Sequence, residues 1–145
     1  MTDDRERSSV LRPGEPGDLD AIAAIQAASP EAAPWPPGDY LRYDLRVAVR
    51  QQRVAGFLVT RRTAEAEAEV LNLAVDPDFR RQGVARALIC AFLHNFQGDV
   101  FLEVRCSNSS ARGFYKSLGF QELTLRKDYY EMPPEAAIVM KFHSC

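Results

Sequence analysis

Residues Val70–Phe92 read VLNLAVDPDFRRQGVARALICAF. An apolar strand, carried by Val70, Leu71, Leu73, Ala74 and Val75, is stopped by Asp76-Pro77, and a short connection leads to Arg80-Arg81-Gln82-Gly83-Val84-Ala85. From there Val84, Ala87, Leu88, Ala91 and Phe92 recur at i, i+3, i+4, i+7 and i+8, the spacing of one buried helix face. A glycine-bearing turn therefore opens a helix. Unpaired N–H groups and the positive end of the helix dipole favour anions there, and Gly83 and Ala85 let phosphate oxygens approach the backbone. Arg80, Arg81 and Arg86 add positive charge. An ordinary strand-to-helix turn with solvated arginines is the alternative. No Gly-Lys-Ser/Thr follows and no GxGxxG is present, which argues against nucleotide hydrolysis and hydride transfer.

The chain around this stretch has 145 residues, enough for one domain with one substantial core. Its 46% hydrophobic and 26% charged content is that of a soluble globular protein. The net charge of −2 and the clustering of arginines at one helix start argue against nucleic acid as a partner. No apolar run is long enough to span a membrane, and MTDDRERSS lacks the apolar centre of a signal peptide, so a cytoplasmic location is expected. Cys90, Cys106 and Cys145 are neither an even set nor a metal-type cluster, and His94 and His143 have no ligand company. Free thiols and no metal are expected.

Organisation follows from local signals. Met1–Ser9 reads as a flexible tail, and residues 10–145 as a single domain. Val10–Arg12 forms a short strand, and a helix runs from Asp18, as N-cap, to about Ala28. Ser29–Gly38 holds four prolines and Trp35 and reads as a loop, followed by a short helix near Asp39–Tyr43. Leu45–Val49 and Val54–Arg61 make a hairpin, with Glu69–Val75 as third strand; the Ala/Glu-rich Arg62–Ala68 is too short to assign as helix. After the turn and its helix come strand Val100–Arg105, helix Ser109–Leu118 stopped by Gly119, and strands Phe120–Arg126 and Ala136–Phe142. The fold class is α/β: a mixed sheet flanked by helices.

Two titratable residues stand out. Glu103 interrupts the apolar run VFLEV and is either a carboxylate directed into a cavity, its pKa raised by desolvation, or an edge-strand glutamate paired with Arg105 on the same face. Tyr115 shares a helix face with Ala111, Phe114 and Leu118, so it is a core aromatic or one whose hydroxyl reaches a ligand. Asn108 suits a helix N-cap. Trp35, Tyr129 and Tyr130 lie beside proline-rich or charged loops.

These pieces together resemble the GNAT superfamily of acyl-CoA-dependent N-acyltransferases. Arg80, Gly83 and Ala85 satisfy its Q/R-x-x-G-x-G/A signature, and NLAVDPDFRRQGVARALI, LEVRCSNSSARGFYKSLGF and RKDYYEMPPEAAIVM are similar to the RimI type, the bacterial ribosomal-protein-alanine N-acetyltransferases. The likeness is strong from about Val70 to Met140 and loose before it. It implies a mixed, mostly antiparallel sheet of about six to seven strands with about four helices. It also implies acetyl-CoA as co-substrate, bound by Arg80, Arg81, Gln82, Gly83, Val84, Ala85 and Arg86, with Asn108 meeting the pantetheine arm. Main-chain N–H groups of Leu73, Ala74 and Val75 would polarise the thioester carbonyl. Glu103 would be the general base, directly or through a water, and Tyr115 the general acid. Trp35, Tyr129 and Tyr130 would line a groove for the acceptor, a protein or peptide N-terminus. An N-terminal amine, with a pKa of about 7.7–8.0 against about 10.4 for lysine, is the easier to deprotonate. Two departures from the pattern are a short connection before Val100, which leaves cofactor binding intact, and a short Glu131–Ala137 loop, which bears on the groove and the peptide it takes. Acetylation of a small amine or a lysine side chain, and a non-catalytic acyl-CoA-binding module, are the competing functions.

Overall fold

The computed structural model describes residues 8–29, 32–33, 35–131 and 134–144. Most of the expected tail, and Pro34, lie outside them. The elements are β1 (Val10–Pro13), a 3-10 turn (Pro16–Asp18), α1 (Leu19–Ala27), a 3-10 turn (Pro37–Arg42), β2 (Asp44–Arg50), β3 (Arg53–Ala64) and β4 (Glu67–Val75). A third 3-10 turn (Pro77–Phe79) is followed by α2 (Val84–Asn95), β5 (Gly98–Arg105), α3 (Ser109–Ser117), β6 (Gln121–Glu131) and β7 (Pro134–Ser144). Hydrogen bonding orders the strands β1-β2-β3-β4-β5-β7-β6. The β4–β5 pair is parallel, and β1–β2, β2–β3, β5–β7 and β6–β7 are antiparallel. This is the mixed, mostly antiparallel seven-strand sheet expected of the fold class.

The chain divides into two compact units, one holding residues up to Arg61 with Leu71–Asn95, the other Arg62–Val70 with everything from Phe96 onward. In the first, Ile22 and Ile25 of α1 pack with Tyr40, Leu45, Val47, Phe57, Val59 and Ala74. Each large apolar side chain buried in this way contributes about 1.5–3 kcal/mol. β2 and β3 join through Gln51-Gln52, both at positive φ (52° and 63°), the backbone of a two-residue hairpin turn that matches strand twist. A register shift between Ala48 and Val49 breaks the alternation of β2, so that Arg50 is buried.

One local expectation is corrected here, and one unassigned segment is resolved. Asp18 precedes α1 but makes no side-chain cap. Its carboxylate takes both guanidinium nitrogens of Arg12, at 2.8 and 2.9 Å, and the Glu15 N–H at 2.8 Å. A bidentate charged pair outweighs one capping amide. The Ala/Glu-rich segment, unassigned from sequence, is the end of a hairpin: β3 runs on to Ala64, Glu65-Ala66 turn, and β4 begins at Glu67. Hairpin pairing overrides its weak helical preference.

In the second unit β7 pairs with the whole of β5, from Gly98↔Ser144 to Arg105↔Ala137. Val100, Leu102 and Val104 are buried while Phe101, Glu103 and Arg105 alternate with them on the less buried face. The parallel register with β4 covers Glu67–Glu69 against Asp99–Phe101. Gly98 makes that junction possible. Its φ is +138°, and a Cβ there would lie 2.1 Å from the Ala66 carbonyl oxygen that accepts the Asp99 N–H at 2.9 Å. An aromatic chain, Tyr115–Phe120 at 5.4 Å and Phe120–Phe142 at 5.3 Å between centroids, fills the core beside α3.

Candidate functional site

The first unit carries the turn. Asp76 caps the end of β4 by accepting the Asp78 N–H at 2.8 Å, and Phe79 is buried, which anchors the connection. Arg81 and Gly83 then take left-handed φ values of 62° and 79°. Arg50 reaches this turn from β2, its Nη1 donating to the Gln82 carbonyl at 3.1 Å. Ala87 N–H, bonded to Gly83 O at 2.9 Å, makes the first α-type bond of α2. The N–H groups of Gly83, Val84, Ala85 and Arg86 therefore precede the helical ladder. A Cβ added to Gly83 would meet no atom within 4 Å. Orphan amides, an open glycine and three nearby arginines fit the diphosphate of a coenzyme. Two predicted contacts also have structural work: Arg80 Nη2 donates to the Ala28 carbonyl at 3.1 Å, and Gln82 Nε2 to the Asp78 carbonyl at 3.3 Å.

Asp76 N–H bonds Ala55 O of β3 at 2.7 Å. By strand alternation the N–H groups of Leu73 and Val75 face the opposite edge, and that of Ala74 faces β3. Leu73 N–H is met at 3.0 Å by Oδ1 of its neighbour Asn72. Asn72, buried in an otherwise apolar strand, heads a network that sequence reading passed over. Its Nδ2 donates to Tyr40 Oη at 2.9 Å and to Gln26 Oε1 and Ala33 O at 3.3 Å. Tyr40 donates to Gln26 Oε1 at 2.5 Å, and Gln26 Nε2 to the Trp35 carbonyl at 2.7 Å. Burial raises the Tyr40 pKa, the bond from Asn72 opposing it. The only hint in the sequence is a polar residue at an inward strand position. The network joins the stretch bearing Trp35, a residue 38% exposed whose ring lies 6.5 Å from those of Tyr40 and Tyr43, to the strand bearing Leu73.

The second unit holds the two titratable residues. Glu103, on β5, is paired with Arg126 of β6, Nη1 to Oε1 at 2.5 Å. The alternative pairing with Arg105 is not seen: Arg105 bonds Glu135 at 3.5 Å. The hydrogen bond and charge of Glu103 raise the Arg126 pKa, and the guanidinium lies 4.5 Å from the Tyr129 ring centroid. Tyr115 is buried between Phe114 and Phe120, and burial pushes its pKa well above the usual tyrosine range, so its proton is retained at neutral pH. Asn108 caps α3, Oδ1 accepting the Ala111 N–H at 3.1 Å. The Tyr130 side chain lies outside the described residues. Among those described, no group of three or more His, Cys, Asp or Glu could hold a metal ion, and no helix is long and apolar enough to cross a membrane.

Comparison with known proteins decides the family. The acetyltransferase (GNAT) domain family matches residues 42–122, a span that includes Asn72, the Arg80–Arg86 turn, Glu103 and Tyr115. The chain belongs to the GNAT acetyltransferase family. A GNAT relative from Haemophilus ducreyi named [ribosomal protein bS18]-alanine N-acetyltransferase is 34% identical over 138 residues, 87% of this chain and 94% of that protein. The crystal structure of the ribosomal-protein-S18-alanine N-acetyltransferase from Escherichia coli superposes with a TM-score of 0.78 at 31% identity, covering 94% of each chain. That of Ard1 from Thermoplasma volcanium gives 0.85 at 30% identity, covering 95% of this chain and 99% of its own. As a GNAT member the chain is an acetyl-transferring enzyme.

Proposed function

We propose that this enzyme acetylates the N-terminal alanine amine of a protein, taking the acetyl group from acetyl-CoA. The observation that carries the reading is the near full-length match, 34% identical, to a relative named for acting on ribosomal protein bS18 alanine. The co-substrate supplies an acyl group activated as a thioester. Arg80, Arg81, Arg86 and the amides at the start of α2 bind its diphosphate, Asn108 meets its pantetheine arm, and the main-chain N–H of Val75, which faces away from β3, polarises the carbonyl. Glu103 removes the proton of the amine as the C–N bond forms. Tyr115, kept protonated by burial, donates a hydrogen bond and then its proton to the sulfur as the C–S bond breaks. Trp35, Tyr129 and Tyr130 line the path of the peptide.

A peptide with a free N-terminal alanine and an internal lysine tests this. Acetylation located by fragment mass spectrometry on the α-amine alone is expected, and its loss in a Glu103→Gln, Tyr115→Phe double variant. Acetylation on the lysine alone overturns the acceptor assignment, and an unchanged rate in the double variant overturns the mechanism.

A further inference from the structure

The ion pair of the second unit is not used by the chemistry above. Arg126 Nη1 donates to Glu103 Oε1 while the same guanidinium stacks on Tyr129. The β6–β7 register is regular at Arg126↔Ala137 and is irregular until Tyr130↔Glu135, so Arg126 is the last regularly paired residue before the stretch that carries Tyr129. A planar guanidinium bonded on one side and stacked on another has its orientation set twice. Among the described residues, Arg126 is the hydrogen-bond partner of Glu103, and the contact is made to Oε1.

We infer that Arg126 is the positioning residue of the base: it holds Oε1, leaves Oε2 to accept the amine proton, and ties the carboxylate's orientation to the Tyr129 stretch. The inference rests on the assignment of Glu103 as base. Among the described residues, the charged and titratable groups on the strands beside Glu103 in its unit include Arg126 and Tyr129 on β6, Glu69 on β4, Arg105 on β5, and Glu135 and Lys141 on β7; Val139 lies opposite it. Arg105 is paired with Glu135 and Lys141 with Asp99, each at 3.5 Å. Arg126 is thus the cation bonded to the carboxylate of Glu103.

The test is kcat and KM, for a free-alanine peptide and for acetyl-CoA, in the Arg126→Met and Arg126→Lys variants. Arg126→Met is expected to lower kcat severalfold, with KM for acetyl-CoA unchanged. Arg126→Lys should restore part of that kcat, since an ammonium can hold Oε1 but cannot stack as a plane. A wild-type kcat in Arg126→Met overturns the inference, as does a Lys variant that behaves like Met. Glu103→Gln separates this failure from that of the base assignment. If that variant keeps the wild-type rate, the base is another group and both ideas fall.

Discussion

Removing the Asn72 side chain should destabilise the first unit through a network in which each loss is traceable. The residue is 6% exposed. Asn72→Ala deletes the acceptor of Leu73 N–H at 3.0 Å and the donor to Tyr40 Oη at 2.9 Å, the two shortest of its bonds. At about 1 kcal/mol net for each bond, and about 1 kcal/mol more for the space vacated, the cost is about 3 kcal/mol. Tyr40→Phe keeps the ring packed and loses the bonds to Asn72 and Gln26, for about 2 kcal/mol. The bond between them is counted in both, so the double variant should cost about 4 kcal/mol rather than 5, a coupling of about 1 kcal/mol. Urea unfolding of the four proteins, compared by midpoint at constant slope, measures this. Strict additivity, or an Asn72→Ala cost below about 0.5 kcal/mol, would show that the bonds do not form a network that stabilises the fold.

Other consequences concern the turn, the sheet junction and the buried phenol. Arg50→Met removes the bond that holds the Gln82 carbonyl; a hydrogen bond from a charged group is worth about 1.5–3 kcal/mol, so KM for acetyl-CoA should rise about tenfold with the peptide KM unmoved. Gly98→Ala places a methyl 2.1 Å from a backbone oxygen at a φ of +138°, and should cost about 3 kcal/mol or more in thermal or urea unfolding. Burial raises the Tyr115 pKa, so the unfolded chain ionises first: its stabilising contribution is complete below about pH 10 and is lost as pH rises beyond that. Tyr115→Phe should flatten the alkaline fall in stability, followed by urea midpoints from about pH 8 to 11, with Tyr40, also raised, leaving a residual slope.

The turn and helix at Arg80–Phe92 were legible in sequence because a break at Asp76-Pro77 and a helical apolar period leave few alternatives, and the structure places Gly83 at a positive φ just before α2. The Glu103 position was legible because a carboxylate breaks a period of two. Its partner was not. Whether Arg105 or Arg126 reaches it depends on the β5–β7–β6 order and the register of β6, which is set by pairing between segments far apart in the chain. Arg50 was missed for a related reason, since the shift at Ala48/Val49 inverts a face that simple alternation would leave outside. Asn72 was passed over because its strand reads as apolar; its value lies in Tyr40 and Gln26, brought to it by tertiary packing.

Thiol release from acetyl-CoA tests the central claim most directly, with the purified protein offered an alanine-initiated peptide, the same peptide blocked at its N-terminus, and spermidine. Release with the free-alanine peptide alone is predicted. Release with spermidine alone would contradict the acceptor assignment and make the protein a small-amine acetyltransferase, and release with the blocked peptide would move the reaction to a side chain.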